Sequence, residues 1–279
     1  MPELPEIETV RRDLERVAVG RRVVEVLVPG RRSVRRQTPT EFCEALAGRR
    51  IEAACRHGKY LWSPLDDGKA LVVHLRMSGQ LRRVAPGAGA PVADHTHAVL
   101  RLEDGAELRF VDPRTFGELF VTGDLDPGGR PRALASLGRD PMLDGVDTAG
   151  LRRLLAGRRA ALKAFLLDQR QLAGIGNIYA DEVCFRARLR PDRRCDGLDA
   201  RQAAQLSRAV TEVLTEAVSA RGSTLRDGRY RDLDGGPGGF QHRHAVYGRA
   251  GEPCPRCGTP IERSRVAGRS AHYCPGCQS

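Results

Sequence analysis

The chain has 279 residues, 41% of them hydrophobic and 29% charged, and carries a formal net charge of +11. This composition suits a globular protein with room for two modest domains, each with its own core. No run approaches the ~18 consecutive apolar residues of a membrane span. Glu3, Glu6, Glu8 and Glu15 lie where a secretory leader would be basic, so a cytoplasmic protein without membrane association is expected. Acidic and basic residues nearly balance up to Ala149, and almost all the positive excess falls from Gly150 onward. A basic half joined to a near-neutral one points to a module that grips an anionic polymer such as DNA. Lysine occurs only at Lys59, Lys69 and Lys163, so compositional bias accounts for arginine over lysine, but not for the asymmetry between the halves.

Taken in chain order, Ile7, Val10, Leu14 and Val17 recur at helical spacing after Pro5, which predicts a helix almost at the N-terminus. Short β-rich runs follow, at Val23 to Val28, Leu71 to Leu75, Ala98 to Leu102, Glu107 to Val111 and Glu118 to Val121. Gly, Pro and Asp separate them, and helix signals are sparse until about residue 150, so a β-sandwich or barrel is expected. Asp124 to Asp147 is rich in Gly, Pro and Asp and is expected to be a hinge. Helical patterns then cover Leu151 to Leu155, Leu162 to Leu167, Ile178 to Phe185 and Leu198 to Ala220. The polar, glycine-rich stretch from Arg221 to Gly239 is expected to be a mobile loop.

Near the end, Cys254-Pro-Arg-Cys257 and Cys274-Pro-Gly-Cys277 have the spacing of a four-thiolate zinc ribbon. Two Cys-x-x-Cys turns complete a tetrahedron with no open position, so one structural zinc ion is expected, with disulfides, or iron in place of zinc, as the alternatives. Arg263, Arg265 and Arg269 lie between the pairs, making the hairpin a candidate DNA finger. Cys43, Cys55, Cys184 and Cys195 lack ligand spacing and are taken as ordinary residues; the pairs His95/His97 and His242/His244 are taken as loop residues. Upstream, Gly174-Ile-Gly176-Asn177 precedes a helical run, a turn that either only caps that helix or offers its N–H groups to a phosphate.

The first residues, Met1-Pro2-Glu3-Leu4-Pro5-Glu6, carry a further chemical possibility. A small residue after Met1 favours removal of Met1, leaving Pro2 with a free secondary amine whose ordinary pKa, about 8, keeps a useful neutral fraction. Such an amine can attack a sugar carbon, expel a base and, after ring opening, give an iminium ion that acts as an electron sink for eliminating the phosphates. Glu3 beside it can move the protons. On these residues alone, Pro2 can equally be a proline that merely follows the start codon.

Met1 to Glu8, Gly58-Lys59-Tyr60-Leu61, His74-Leu-Arg-Met-Ser-Gly79, Asp112-Pro-Arg-Thr-Phe-Gly117, the turn ending at Asn177 and the terminal four-cysteine ribbon together resemble formamidopyrimidine-DNA glycosylase, in order and along the whole chain. The resemblance implies an α+β fold: an N-terminal β-sandwich with an N-terminal helix (1–133), a linker (134–149), a helix-two-turn-helix domain with the lesion loop (150–245) and a zinc finger (246–279). It implies a monomer that acts on double-stranded DNA containing oxidised bases. Carried over residue by residue, Pro2 is the Schiff-base nucleophile, Glu3 the proton donor in glycosyl cleavage, Lys59 the acid in β-elimination and Arg269 the acid in δ-elimination. Glu6 matches a supporting acidic position. His95, Arg114 and Arg158 match DNA contacts, and Lys163, His74 and Asn177 belong by the same resemblance to the phosphate-gripping surface. Met77, Arg114 and Phe116 match the trio that fills the space left by an extruded nucleotide. Two alternatives stand beside this reading. One is an endonuclease VIII-like enzyme for oxidised pyrimidines, against which Leu4 and the long loop before Phe240 speak. The other is a catalytically silent zinc-ribbon DNA-binding protein, against which Pro2 and Glu3 speak.

Overall fold

The computed structural model describes residues 1–30 and 32–279. It divides into two units, Met1–Ser136 with Arg221–Gly239, and Leu137–Ala220 with Phe240–Ser279. Among the described residues, no helix is long and apolar enough to cross a membrane.

The first unit opens with helix α1 (Leu4–Val17), whose start is set by Glu3 at the N-cap, Pro5 in the first turn and Glu6 reaching back to the Glu3 N–H at 2.8 Å. Leu4, Ile7, Val10, Leu14 and Val17 are buried along it. Strand β1 (Val23–Leu27) and a short helix α2 (Pro39–Leu46) follow. Strands β2 (Cys55–His57), β3 (Tyr60–Pro64), β4 (Ala70–His74), β5 (Gln80–Val84), β6 (Thr96–Leu102), β7 (Glu107–Val111) and β8 (Glu118–Thr122) complete the unit. They form two four-stranded sheets, ordered β1-β6-β7-β5 and β2-β3-β4-β8, in which every pairing is antiparallel. Leu61, Leu71 and Val73 of one sheet share a core with Leu81, Leu100, Leu108 and Phe110 of the other and with the apolar face of α1. The expected β-sandwich with an N-terminal helix is therefore present. Helix α2 is an addition to the expected elements, although Thr38 and Glu41 form a reciprocal capping box ahead of Phe42 and Leu46, a signal the sequence does contain.

Helix α1 is fastened to the sheets by charge as well as by apolar area. Glu8 receives Arg56 of β2 at 3.0 Å, with Arg11 and Arg12 also on its carboxylate. Burial alone would raise the Glu8 carboxyl, but the hydrogen bonds from Arg11, Arg56 and Arg12 together outweigh it and hold the group below the usual range.

The stretch Arg221–Gly239 is not the loose loop that its glycines suggest. Tyr230 and Leu233 are buried in the sandwich core, and the Leu233 carbonyl accepts from the Arg83 N–H at 2.7 Å. The Arg221 guanidinium bridges Asp13 of α1 at 2.6 Å and Asp232 at 2.9 Å, while Asp234 meets Arg16 at 3.0 Å. Exposed residues gather at its tip, where Arg226 and Asp227 stand in solvent. Two apolar anchors and a row of ion pairs thus override the glycines, of which Gly222, Gly228 and Gly235 supply positive-φ turns on either side of the anchors.

In the second unit, helices α3 (Thr148–Leu155), α4 (Leu162–Leu167), α5 (Asn177–Arg186) and α6 (Ala200–Ser219) lie within a residue or three of the runs read from the sequence. Helix α5 packs against α4, α6 and the last strand, and residues Ile178 to Phe185 are all buried. Strands β9 (Glu262–Val266) and β10 (Arg269–Tyr273) make the terminal hairpin. Its two-residue turn, Ala267 and Gly268, has positive φ at both positions, as a tight antiparallel reversal requires.

If the Arg221–Gly239 segment is a strap rather than a mobile loop, Leu233→Ala should lower stability by about 2–5 kcal/mol through loss of packing and the cavity left behind. Tryptic cleavage at Arg226 and Arg229 should become faster. An unchanged melting temperature with unchanged cleavage would restore the mobile-loop reading.

Candidate active site and nucleic-acid interface

At the head of α1, Met1 is exposed while Pro2 and Glu3 are buried. Glu6 fixes this terminus with both carboxylate oxygens: Oε2 accepts from the Glu3 N–H at 2.8 Å and Oε1 from the Ser223 N–H at 2.7 Å. Gly222 makes that approach possible, since its φ is +75° and a Cβ there would lie 2.6 Å from Glu6 Oε1. The first turn of α1 and the root of the Arg221–Gly239 strap are therefore locked onto one carboxylate.

Lys59 lies in the tight turn between β2 and β3, where Gly58 takes φ +58°. An isolated lysine in such a turn is ordinarily solvated, but Lys59 is only 7% exposed. The β2–β3 hairpin packs on α1, so Lys59 and the N-terminus ride on neighbouring elements. Across the β3–β4 pairing Tyr60 faces His74, ring edge against ring at 4.1 Å. Burial first, and then the Arg76 and Lys59 charges, push the His74 imidazole down to about 3, so it is neutral at physiological pH. Its Nδ1 accepts from the Arg76 N–H at 2.9 Å, which leaves Nε2 protonated. Any phosphate contact by His74 is thus a neutral N–H donation, not a cationic one.

Met77 and Phe116, which would ordinarily be core residues in such near-strand segments, are 40% and 48% exposed. Arg114 is exposed and its guanidinium lies 4.9 Å over the Phe116 ring. His95 is exposed with φ +62°, and its carbonyl accepts from the Asp112 N–H at 2.9 Å. The structure brings these four residues together on loops joined through Asp112, a buried carboxylate that is absent from the candidates read in the sequence.

The second unit carries a separate group. An open groove of about 600 Å³ is lined by Asn177, Arg263, Ser264, Arg265, Gly268, Arg269 and Ser270. Asn177 opens α5, where backbone N–H groups favour an anion, and its Nδ2 donates to Ser270 Oγ at 3.2 Å. Among the described residues, no carboxylate pairs with Arg263, Arg265 or Arg269, so their charge remains available to an anionic ligand. Arg158 sits apart, its guanidinium donating to Gln171 Oε1 at 2.8 Å and to the Leu154 carbonyl.

Lys163 requires a correction. It is wholly buried and bonded to Asp181 Oδ1 at 2.6 Å and to the Ser270 carbonyl, so it cannot belong to a phosphate-gripping surface. Asp181 Oδ2 also accepts from the His272 backbone N–H at 2.9 Å. The next residue, Glu182, accepts from the N–H groups of Ala245, Val246 and Tyr247 at 2.8 to 3.0 Å. Lys163 instead ties strand β10, and with it Arg269, to helix α5.

Behind the hairpin, the four sulfurs of Cys254, Cys257, Cys274 and Cys277 all lie within 4.8 Å of one another, the only such ligand cluster among the described residues. Four thiolates at this separation match the edges of a tetrahedron with ~2.3 Å metal–sulfur bonds, so the residues fit a structural zinc ion and leave no open coordination position. Arg256 clamps this base to the end of α5, donating to the Phe185 carbonyl at 2.8 Å and stacking on its ring.

Models of the formamidopyrimidine-DNA glycosylase N-terminal domain, its H2TH domain and the zinc finger found in FPG and IleRS match residues 1–119, 137–228 and 251–279. The formamidopyrimidine-DNA glycosylase of Thermus thermophilus is 48% identical over 278 residues, covering 100% of this chain and 98% of its own. This chain belongs to the formamidopyrimidine-DNA glycosylase family. Among solved structures it is similar to Lactococcus lactis Fpg in complex with Fapy-dG-containing DNA, with a TM-score of 0.86, 32% identity and coverage of 99% and 100%. It is likewise similar to the same protein with abasic-site DNA, with a TM-score of 0.88, 32% identity and 99% coverage of each chain. As a member of the family the chain is a DNA glycosylase of DNA repair with a zinc finger, and the helices α3 to α6 are those of an H2TH domain.

Sequence reasoning missed Asp112, Asp181, Glu182 and Ser223. Asp112 lies inside one of the matching motifs, but nothing in its spacing shows that it faces inward. Glu182 binds backbone N–H groups, Ser223 acts through its own backbone N–H, and Asp181 pairs with a lysine 18 residues away, none of which leaves a local pattern in side-chain identity.

Lys163→Met should destabilise the glycosylase by about 3–5 kcal/mol, because it strands the buried Asp181 carboxylate without a cation. Pairing it with Asp181→Leu should recover part of that loss. A Lys163→Met protein that melted like the parent but bound DNA with a weaker salt dependence would return Lys163 to the DNA surface.

Proposed function

We propose that this glycosylase excises oxidised purines, 8-oxoguanine and formamidopyrimidines among them, from double-stranded DNA and then cleaves the strand by β,δ-elimination. The observation that carries this reading is the buried Pro2–Glu3 pair at the capped start of α1, a chain terminus held as firmly as a core residue. With Met1 removed, the Pro2 nitrogen attacks the anomeric carbon as the glycosidic bond breaks, and the base leaves with its electron pair. Glu3 supplies a proton to the sugar ring oxygen, the ring opens, and a cationic iminium joins Pro2 to the sugar. Loss of a proton from the adjacent carbon sends its electron pair into the iminium to give an enamine, whose electrons return to expel the 3′ phosphate with its bonding pair and restore a conjugated iminium; a second elimination expels the 5′ phosphate in the same way. Lys59 and Arg269 serve as the acids for these two steps.

Such chemistry requires the nucleotide to leave the stack, at a cost of roughly a few kcal/mol. Exposed Met77 and Phe116 and the Arg114 guanidinium are suited to occupy the vacated space, with Arg114 facing the orphaned base. His95, Arg158, Asn177 and the neutral His74 hold phosphates, and the tip around Arg226 to Arg229 covers the extruded base. The Lactococcus lactis complexes with Fapy-dG and abasic-site DNA support both the substrate class and the second step. The enzyme acts as a monomer.

Glu3→Gln separates the two steps. It keeps size and hydrogen bonding but removes the proton, so single-turnover release of 8-oxoguanine opposite cytosine should fall about 10²–10⁴-fold. Cleavage of a pre-formed abasic site should largely survive. Equal loss of both activities would contradict the assignment of Glu3, and faster release of thymine glycol than of 8-oxoguanine by the parent enzyme would contradict the substrate class.

A further inference from the structure

Asp112 has no exposed surface, yet three separate segments converge on it. Its Oδ1 accepts from Ser78 Oγ at 2.6 Å and from the Arg114 N–H at 3.2 Å, and its Oδ2 accepts from the Gly117 N–H at 2.6 Å. Its backbone joins the same cluster: the N–H donates to the His95 carbonyl at 2.9 Å, and the carbonyl accepts from His97 Nε2 at 2.9 Å and the Thr115 N–H at 3.2 Å. The segments so gathered are those that carry Met77, His95 and Arg114 with Phe116. Three of their residues, Arg76, His95 and Thr115, hold positive φ without being glycine. Such backbone persists only where surrounding bonds over-determine it. Gly117 adds a close fit, since a Cβ there would meet Phe110 at 2.4 Å and Asp112 Oδ2 at 2.9 Å.

We propose that Asp112 is a positioning residue for base extrusion: one buried carboxylate sets the mutual register of Met77, Arg114 and Phe116, and thereby the reading of the opposite base. This rests on the proposal that the three side chains fill the vacated space. Met77 and Phe116 stand exposed, while the residues beside them, Ser78 and Gly117, are buried and bonded to the Asp112 carboxylate. All the side-chain partners of Asp112 are donors. No amide of the same size can satisfy them, because either orientation would turn its N–H₂ toward a backbone N–H, that of Arg114 or that of Gly117. A displacement of about 1 Å in such groups can cost about 10²-fold in rate.

The test compares Asp112→Asn and Ser78→Ala with the parent on duplexes containing 8-oxoguanine opposite cytosine or adenine, and on a duplex with a pre-formed abasic site. Asp112→Asn should lower single-turnover excision opposite cytosine about 10–100-fold, and should shrink the cytosine-over-adenine ratio, while abasic-site cleavage falls less than about 3-fold. Ser78→Ala, which removes one bond and leaves the carboxylate with two N–H partners, should move the same quantities in the same direction by less. It supplies the answer if Asp112→Asn fails to fold. Equal loss on all three substrates, or an unchanged opposite-base ratio, would overturn the proposal. Met77→Ala with Phe116→Ala keeps the two ideas apart. If that double variant excised 8-oxoguanine normally, the void-filling reading would fall; if it were impaired while Asp112→Asn was not, only the role of Asp112 would.

Discussion

A chain terminus is ordinarily the most mobile part of a domain, and chemistry at a terminal amine needs it to be the opposite. In this glycosylase, for which such chemistry is proposed, the carboxylate of Glu6 holds the terminus. One oxygen holds the N–H of Glu3 and the other the N–H of Ser223, so the first turn of α1 and the root of the strap that follows α6 are fixed to the same group. Because the remainder of α1 is buried by Leu4, Ile7, Val10 and Leu14, the terminus inherits the rigidity of the sandwich core.

The same device recurs elsewhere. Glu8 gathers Arg56, Arg11 and Arg12 under α1; Asp112 gathers the exposed loops; Asp181 and Glu182, adjacent on α5, secure β10 and the segment entering the zinc finger. Acidic side chains are turned inward as acceptors for backbone and arginine donors, whereas Arg263, Arg265 and Arg269 are left without carboxylate partners among the described residues. The net charge of +11 therefore understates how positive the exposed groove is, since much of the negative charge is consumed internally. This division of labour gives a protein that must hold a polyanion both a rigid frame and an uncompensated surface.

Much of the fold is legible in the residues. Alternation in Glu107 to Val111 and helical spacing in Leu162 to Leu167 mark their elements, and two Cys-x-x-Cys turns mark the metal-binding hairpin. Helix α2 is harder to see because only Phe42 and Leu46 of its eight residues are buried, too few for a periodic signal. The strap from Arg221 to Gly239 misleads because glycine content reports turn geometry, while Tyr230 and Leu233, only three residues apart in a polar stretch, hold it down. Among the candidate site residues, local motifs disclose where Pro2, Glu3, Lys59 and the cysteines lie but not how deeply. Lys163 shows the limit most plainly. A lysine in a basic helical region reads as a phosphate contact, and only its buried bond to Asp181, on the next helix, reveals a structural tie.

The proposed chemistry depends on the Pro2 amine being the group that meets the sugar. The most direct measurement is reduction with borohydride during turnover on a duplex carrying 8-oxoguanine opposite cytosine, followed by proteolysis and mass spectrometry of the covalent adduct. A single modified peptide is expected, beginning at Pro2 and carrying the reduced sugar on its terminal nitrogen. An adduct on Lys59, or on any other lysine, would contradict that assignment.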